Sequence, residues 1–229
     1  MELTLKNTVS IAATLTNILL FLSGIQIIWK IYQRSSSQGF SILPFMACFV
    51  SCTLWLRYGV ISKDFTMIFV NLIGSIIEGI YVIIFYLYTK QKKSVHPTVF
   101  GLLAFLTSVL AYSQYGKISE SELIRRHGLV CASFNVINYA APLGSAASVI
   151  KMKSTKNMSF VLSFVYFIVS IEWYFYGYLH KDNFIKVPNM FGIFLGIIQL
   201  SLFVFYPTSK SRVVEPKKQS VSANMIRTM

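Results

Sequence analysis

The chain has 229 residues, 55% of them hydrophobic and 13% charged, with a mean hydropathy of +0.60. A soluble domain carries about 25% charged residues, so this composition excludes an ordinary water-soluble enzyme and the disordered and fibrous classes. The 21 Lys+Arg against 8 Asp+Glu leave a formal charge of +13. Nucleic acid would need those bases on one water-facing surface, and the runs between them are too apolar to form it.

A spanning helix needs about 20 mostly apolar residues. Seven stretches meet that length, at residues 8–29, 41–61, 66–88, 97–116, 128–149, 159–179 and 186–206. Met1 to Ser10 holds one Lys and no small-residue cleavage site after a short apolar core, so the first span is expected to be retained. The loops between spans are short, among them Gln33–Gly39, the Ser62-Lys63-Asp64 turn and Lys151–Asn157. The tail at 208–229 is rich in Ser, Lys and Arg, has little apolar content, and is expected to be disordered. Cys48, Cys52 and Cys131 all lie inside spans and are expected to be packing thiols. His96, His127 and His180 fall at span edges without metal-ligand spacing, and are expected to be solvated.

Charge fixes the orientation. Alternate segments hold Lys30, Arg34, Lys90, Lys92, Lys93, Lys151, Lys153, Lys156, Lys210, Arg212, Lys217, Lys218 and Arg227, thirteen bases with a single acid, Glu215. The other eight bases share their segments with Glu2, Asp64, Glu120, Glu122 and Asp182. Basic loops stay in the cytosol, which puts the N-terminus outside and the C-terminus inside. The sequon Asn157-Met158-Ser159 then faces the cytosol and is expected to stay unglycosylated.

The strongest internal signal is a duplication. Trp55, Tyr58, Gly59, Lys63, Asp64, Asn71 and Gly74 recur as Trp173, Tyr176, Gly177, Lys181, Asp182, Asn189 and Gly192, every pair 118 positions apart. The same offset pairs Ser36 with Ser154, Ser41 with Ser159 and Gly24 with Pro142. The repeat covers three spans, so direct duplication would invert the second copy; one extra helix between them restores its direction. The expected fold is all-α, with seven transmembrane helices as two parallel three-helix bundles and a connector (3+1+3). The units are a first bundle at 1–95, a connector and outer loop at 96–126, and a second bundle at 127–207. Parallel repeats related by an axis along the membrane normal are a transporter architecture, with substrate at the repeat interface.

Together these residues resemble the SWEET (saliva) family of sugar transporters from about residue 8 to 207, and more closely its animal members. The motifs are Phe40-Ser41-x-x-Pro44, Tyr58-Gly59, Asn71-x-x-Gly74-Ser75-x-x-Glu78-x-x-Tyr81, Ala141-Pro142-Leu143, Lys153-Ser154-Thr155, Trp173-x-x-Tyr176-Gly177 and Val187-Pro188-Asn189-x-Phe191-Gly192. The resemblance implies a facilitative uniporter with sugar held between the bundles. It implies that Asn71 and Asn189 bind sugar hydroxyls, that Trp173 faces the sugar with Trp55 as its symmetric counterpart, and that Tyr58 and Asp182 form an outer gate. Relatives carry four hinge prolines; Pro44 and Pro142 match, whereas the other two positions read Gly24 and Ser159, which leaves the four-proline hinge unmet.

The chemistry suits such a ligand. An amide both donates and accepts, so opposed asparagines can hold hydroxyls without charge. An indole covers the C–H face of a sugar, and its N–H is expected to supply one more donor. Asparagine as helix-packing glue and tryptophan as an interfacial belt are the bland alternatives. A proline weakens the helix that contains it, which suits a hinge and equally a static kink. Glu78 and Glu172 are intramembrane acids whose 118-offset partners are Gly196 and Leu54. That asymmetry favours structural hydrogen bonding of Glu78 and pairing of Glu172 with Arg57 over proton coupling. Two large indoles leave room for a hexose, so glucose is expected, with a disaccharide as the lesser alternative. No catalytic constellation, cofactor or metal site is expected. The partners are a sugar and the bilayer, with homo-oligomerisation open, in the plasma membrane or in the Golgi or another endomembrane. Two competing readings are a proton-coupled carrier of the PQ-loop type and a seven-span receptor without transport activity.

Overall fold

A computed structural model describes residues 2–206 apart from residue 157. The sequon asparagine Asn157 and the tail at 208–229 lie outside the described residues. Within them the chain forms α1 (Glu2–Leu22), α2 (Ile25–Arg34), α3 (Leu43–Ser62), α4 (Phe65–Leu87), α5 (His96–Tyr115), α6 (Glu120–Asn138), α7 (Ala140–Met152), α8 (Phe160–Leu179) and α9 (Asn183–Phe205). A 3-10 turn at Lys92–Ser94 leads into α5.

Two of the seven expected spans are broken helices. Span 8–29 is α1 and α2, parted at Ser23 and Gly24. There the Ser23 and Gly24 amides bond to carbonyls three residues back, Leu20 and Phe21, which tightens the turn and ends α1. Span 128–149 is α6 and α7, parted at Tyr139, and α6 starts eight residues before the expected edge. Pro142 has no N–H for the Asn138 carbonyl four residues back, and its ring crowds that carbonyl, so α6 stops there. The two breaks fall at the Gly24/Pro142 pair of the repeat. Among the described residues six helical stretches are long and apolar enough to cross a membrane: Leu3–Arg34, Leu43–Ser62, Phe65–Leu87, His96–Tyr115, Phe160–Leu179 and Asn183–Phe205. The α6–α7 stretch is interrupted and opens on Glu120, Glu122, Arg125 and Arg126.

The packing repeats as the sequence does. In one half α4 lies between α1 and α3; in the other, α9 lies between α6 and α8. Across the halves α1 packs on α8 and α3 on α6, so six helices close a ring in the order α1, α4, α3, α6, α9, α8. The connector α5 stands outside that ring, against α3 and α6. This is the 3+1+3 arrangement. The half-helices differ from the rest: α2 packs on α4, and α7 on α9, each within its own half.

Close approach inside each half depends on a paired glycine. A Cβ on Gly74 would lie 2.6 Å from the Phe21 ring and 2.7 Å from Cys52 Sγ. At the equivalent Gly192 it would lie 2.5 Å from Ser170 Oγ and 2.8 Å from the Tyr139 hydroxyl. Outward, Leu15, Leu19, Ile76, Ile83 and Phe194 are exposed apolar side chains. A patch of that extent marks a membrane-facing or protein-facing surface.

Candidate functional site

At the end of the ring near the N-terminus, two tyrosines cross from one half to the other. Tyr58, near the end of α3, donates its hydroxyl proton to Asp182 Oδ2 at 2.6 Å. Tyr176, near the end of α8, donates to both carboxylate oxygens of Asp64 at 2.7 Å. Both aspartates are also helix N-caps. Asp64 accepts from Met67 N at 3.0 Å, and Asp182 from Phe184 N and Ile185 N at 2.8 and 3.3 Å. The cap position directs each carboxylate to a helix N-terminus, where negative charge is stabilised, and the tyrosine of the opposite half completes it. Tyr58 and Asp182 thus meet as a pair, and Tyr176 with Asp64 is a second pair in the same register. Around this end, Lys63 reaches Glu120 at 2.9 Å and Glu122 takes both Arg125 and Arg126. Those two guanidiniums hold the Glu122 carboxyl down to about 2.

One turn further in stand the tryptophans. Trp55 on α3 and Trp173 on α8 are buried, edge-on to Tyr58 and Tyr176, with ring centroids 5.4 and 5.1 Å apart. Their indole N–H groups, expected to be donors for a ligand, are taken by protein. Trp55 Nε1 donates to Asn135 Oδ1 at 3.3 Å and Trp173 Nε1 to Asn17 Oδ1 at 3.2 Å. Both bonds cross between the halves. Asn17 and Asn135 are themselves 118 positions apart, a pair that the motif comparison missed although the offset contains it. Ser51 adds a second donor to Asn135 Oδ1 at 3.0 Å.

Asn71 on α4 and Asn189 on α9 face each other in ring order, since α4 and α9 are its two opposite members. Asn71 is buried and Asn189 half-buried. Each donates one amide proton to its own helix, to Met67 O at 2.9 Å and Ile185 O at 2.7 Å. Among the described residues neither makes another side-chain hydrogen bond, so each amide keeps an acceptor oxygen and a second donor. The local bond fixes both amides in the same orientation on equivalent helices.

The positions expected to be hinges divide into two kinds. Gly24 and Pro142 flank the helix breaks. Gly24 lies under the Tyr81 ring, where a Cβ would approach Cε2 to 2.7 Å. At the equivalent place in the other half Gln199 Nε2 donates to the Pro142 carbonyl at 3.3 Å. Pro44 sits in the first turn of α3, where a missing N–H costs no helical bond. Ser159 is the N-cap of α8, accepting from Leu162 N at 3.4 Å. A cavity of about 290 Å³ opens beside α7, lined by Ala141, Gly144, Ser145, Ser148 and two methionines.

Three expectations are corrected. Glu172 does not pair with Arg57: it accepts from Thr16 Oγ1 across the halves, while Arg57 donates to Ser113 Oγ and O at 3.0 and 2.9 Å. His127 is not solvated, but buried between α6 and α3 with Nε2 3.0 Å from the Leu54 carbonyl. The spans at 8–29 and 128–149 are interrupted, as described above. Glu78 is buried with the Cys48 thiol within hydrogen-bonding reach.

A family model described as "Sugar efflux transporter for intercellular exchange" matches the chain twice, at residues 7–93 and 126–211, one match per repeat. The sugar transporter SWEET1 of Drosophila pseudoobscura pseudoobscura is 37% identical over 86% of this chain and 88% of its own length. The bidirectional sugar transporter N3 of Medicago truncatula is 31% identical over 95% of this chain and 82% of its own. Among solved structures, a eukaryotic SWEET transporter superposes with a TM-score of 0.77 at 27% identity, covering 88% of this chain and 98% of that one. Two family-model matches in the register of the duplication, together with these relatives and the shared ring of helices, identify the chain as a multi-pass membrane protein and a member of the SWEET family.

Proposed function

We propose that the chain is a facilitative, bidirectional sugar uniporter that moves a monosaccharide, glucose first, by alternating access between its two bundles. The observation that carries this reading is the opposed pair Asn71 and Asn189, each held by its own helix and each left with one donor and one acceptor. Two uncharged amides and two buried indoles suit a neutral polyol with an apolar face. Names given to the relatives, sugar transporters in fly and plant, agree with it. Glucose is favoured over a disaccharide because both halves carry a full, buried indole.

The closed Tyr–Asp end is taken as the outer one, with Tyr58 and Asp182, and Tyr176 and Asp64, as its gate. The basic residues Lys30, Arg34, Lys90, Lys92, Lys93, Lys151, Lys153 and Lys156 all belong to the opposite end, which supports a cytosolic assignment there. The plasma membrane is the proposed site of action. Residues 1–95 and 127–207 act as the two units and 96–126 as their connector. The breaks at Gly24 and Pro142 are the flexing points, with Pro44 and Ser159 setting the helix ends beside them.

Uptake of radiolabelled glucose into cells lacking hexose transport tests the reading. Uptake above control that falls with Asn189→Ala is expected. No uptake with confirmed surface expression, or unchanged uptake in Asn189→Ala, contradicts it.

A further inference from the structure

We propose that Asn17 and Asn135 are positioning residues: each latches the tryptophan of the opposite bundle, so that both indoles are aimed into the pocket only while the Tyr–Asp end is closed. The proposal rests on the reading that sugar sits among Asn71, Asn189, Trp55 and Trp173.

An indole N–H can only donate, and a buried one needs an acceptor. Trp55 is 6% and Trp173 8% exposed, and in both cases the acceptor comes from the other half. Asn17 Oδ1 on α1 takes Trp173 of α8, and Asn135 Oδ1 on α6 takes Trp55 of α3. These are the two helix pairs that pack most extensively across the bundles. A bond within one bundle would survive any rigid-body movement, whereas these two must break when α1 leaves α8 and α3 leaves α6. Each indole then loses its N–H acceptor and keeps only the edge contact with the tyrosine of its own helix. The latches thereby tie the wall of the pocket to the state of the gate one turn away.

The two latches are unequal. Asn135 Oδ1 also accepts from Ser51, whose place in the second half is taken by Val169, which cannot donate. The Trp55 latch therefore holds two donors on one oxygen and the Trp173 latch one, with the α1–α8 seam tied separately beside it by Thr16 Oγ1 donating to Glu172.

Tryptophan fluorescence reads this directly in the purified full chain. With Trp29→Phe and Trp55→Phe in place, Trp173 is the sole emitter. Asn17→Leu, similar in volume but without an acceptor, is expected to shift its emission maximum and raise its quenching by acrylamide, while Asn135→Leu leaves both unchanged. With Trp55 as sole emitter the assignment reverses. Unchanged Trp173 emission and quenching in a folded Asn17→Leu chain overturns the latch. Glucose transport supplies the role: Asn17→Leu is expected to raise KM about tenfold, the loss of one hydrogen bond's worth of orientation, and to add nothing in a Trp173→Phe background. Additive effects overturn the positioning role.

Should Asn17→Leu not fold, the wild-type chain labelled with ¹⁵N-tryptophan answers the same question. Indole N–H exchange for Trp55 and Trp173 slower than for free tryptophan by tenfold or more, about 1.4 kcal/mol, is expected, and exchange as fast as free tryptophan overturns the proposal. Neither spectroscopic readout depends on transport, so a wild-type chain that moves no sugar overturns the sugar reading by itself.

Discussion

At the scale of single residues, the proposed site is built from neutral groups whose free donors and acceptors can be counted. Asn71 and Asn189 each give one proton to a carbonyl of their own helix and keep the rest. Replacing either by alanine removes hydrogen bonds worth about 1 kcal/mol each; a rise in glucose KM of about tenfold is expected, with the same melting temperature as wild type. A second prediction concerns packing. Gly74→Ala forces a Cβ to 2.6 Å from Phe21, and overpacking of this kind costs about 1–3 kcal/mol, read as a lower melting temperature of the detergent-solubilised chain. The asparagines, tryptophans and glycines were all legible in the sequence because they recur at one offset. Asn17 and Asn135 recur at that offset too, but their meaning was not legible. An offset states which residues are equivalent; which residue of the other half each one touches depends on the ring order of the helices.

At the scale of elements, the proposed mechanism rests on the caps and the breaks. Asp182 both caps α9 and receives Tyr58, and the two duties can be separated. Asparagine caps a helix about as well as aspartate, whereas alanine loses about 1 kcal/mol. Asp182→Asn is therefore expected to keep the melting temperature near wild type, and Asp182→Ala to lower it; equal melting temperatures would remove the capping role. At the other break, Pro142→Ala restores a donor for the Asn138 carbonyl and joins α6 to α7. A lower maximal counterflow rate with unchanged KM is expected, since the pocket is untouched and only the flexing point is stiffened. These breaks were hidden by the very feature that revealed the spans. Averaged over about 20 residues, an apolar run reads as one helix, and a glycine or a proline changes that average little. Their occurrence at paired positions 24 and 142 was the available signal.

At the scale of the whole molecule, composition and charge foretold a membrane protein of alternating basic and mixed loops, and the duplicated register foretold two equivalent halves. The ring closes through α1 on α8 and α3 on α6, a pairing of helix surfaces that no linear pattern in the chain displays. The same ring makes a uniporter the economical reading, since the neutral amides Asn71 and Asn189 lie on its opposite members α4 and α9. Flux is accordingly expected to follow the sugar gradient alone, with the same rate whether or not a pH gradient is imposed across the vesicle; dependence on that gradient would favour a proton-coupled carrier. The most direct measurement is counterflow of radiolabelled glucose and a panel of mono- and disaccharides in proteoliposomes holding the purified chain. Saturable glucose counterflow that discriminates against disaccharides and is lost in the Asn71→Ala, Asn189→Ala double variant is predicted, and absence of counterflow by a folded, reconstituted wild-type chain would contradict the account.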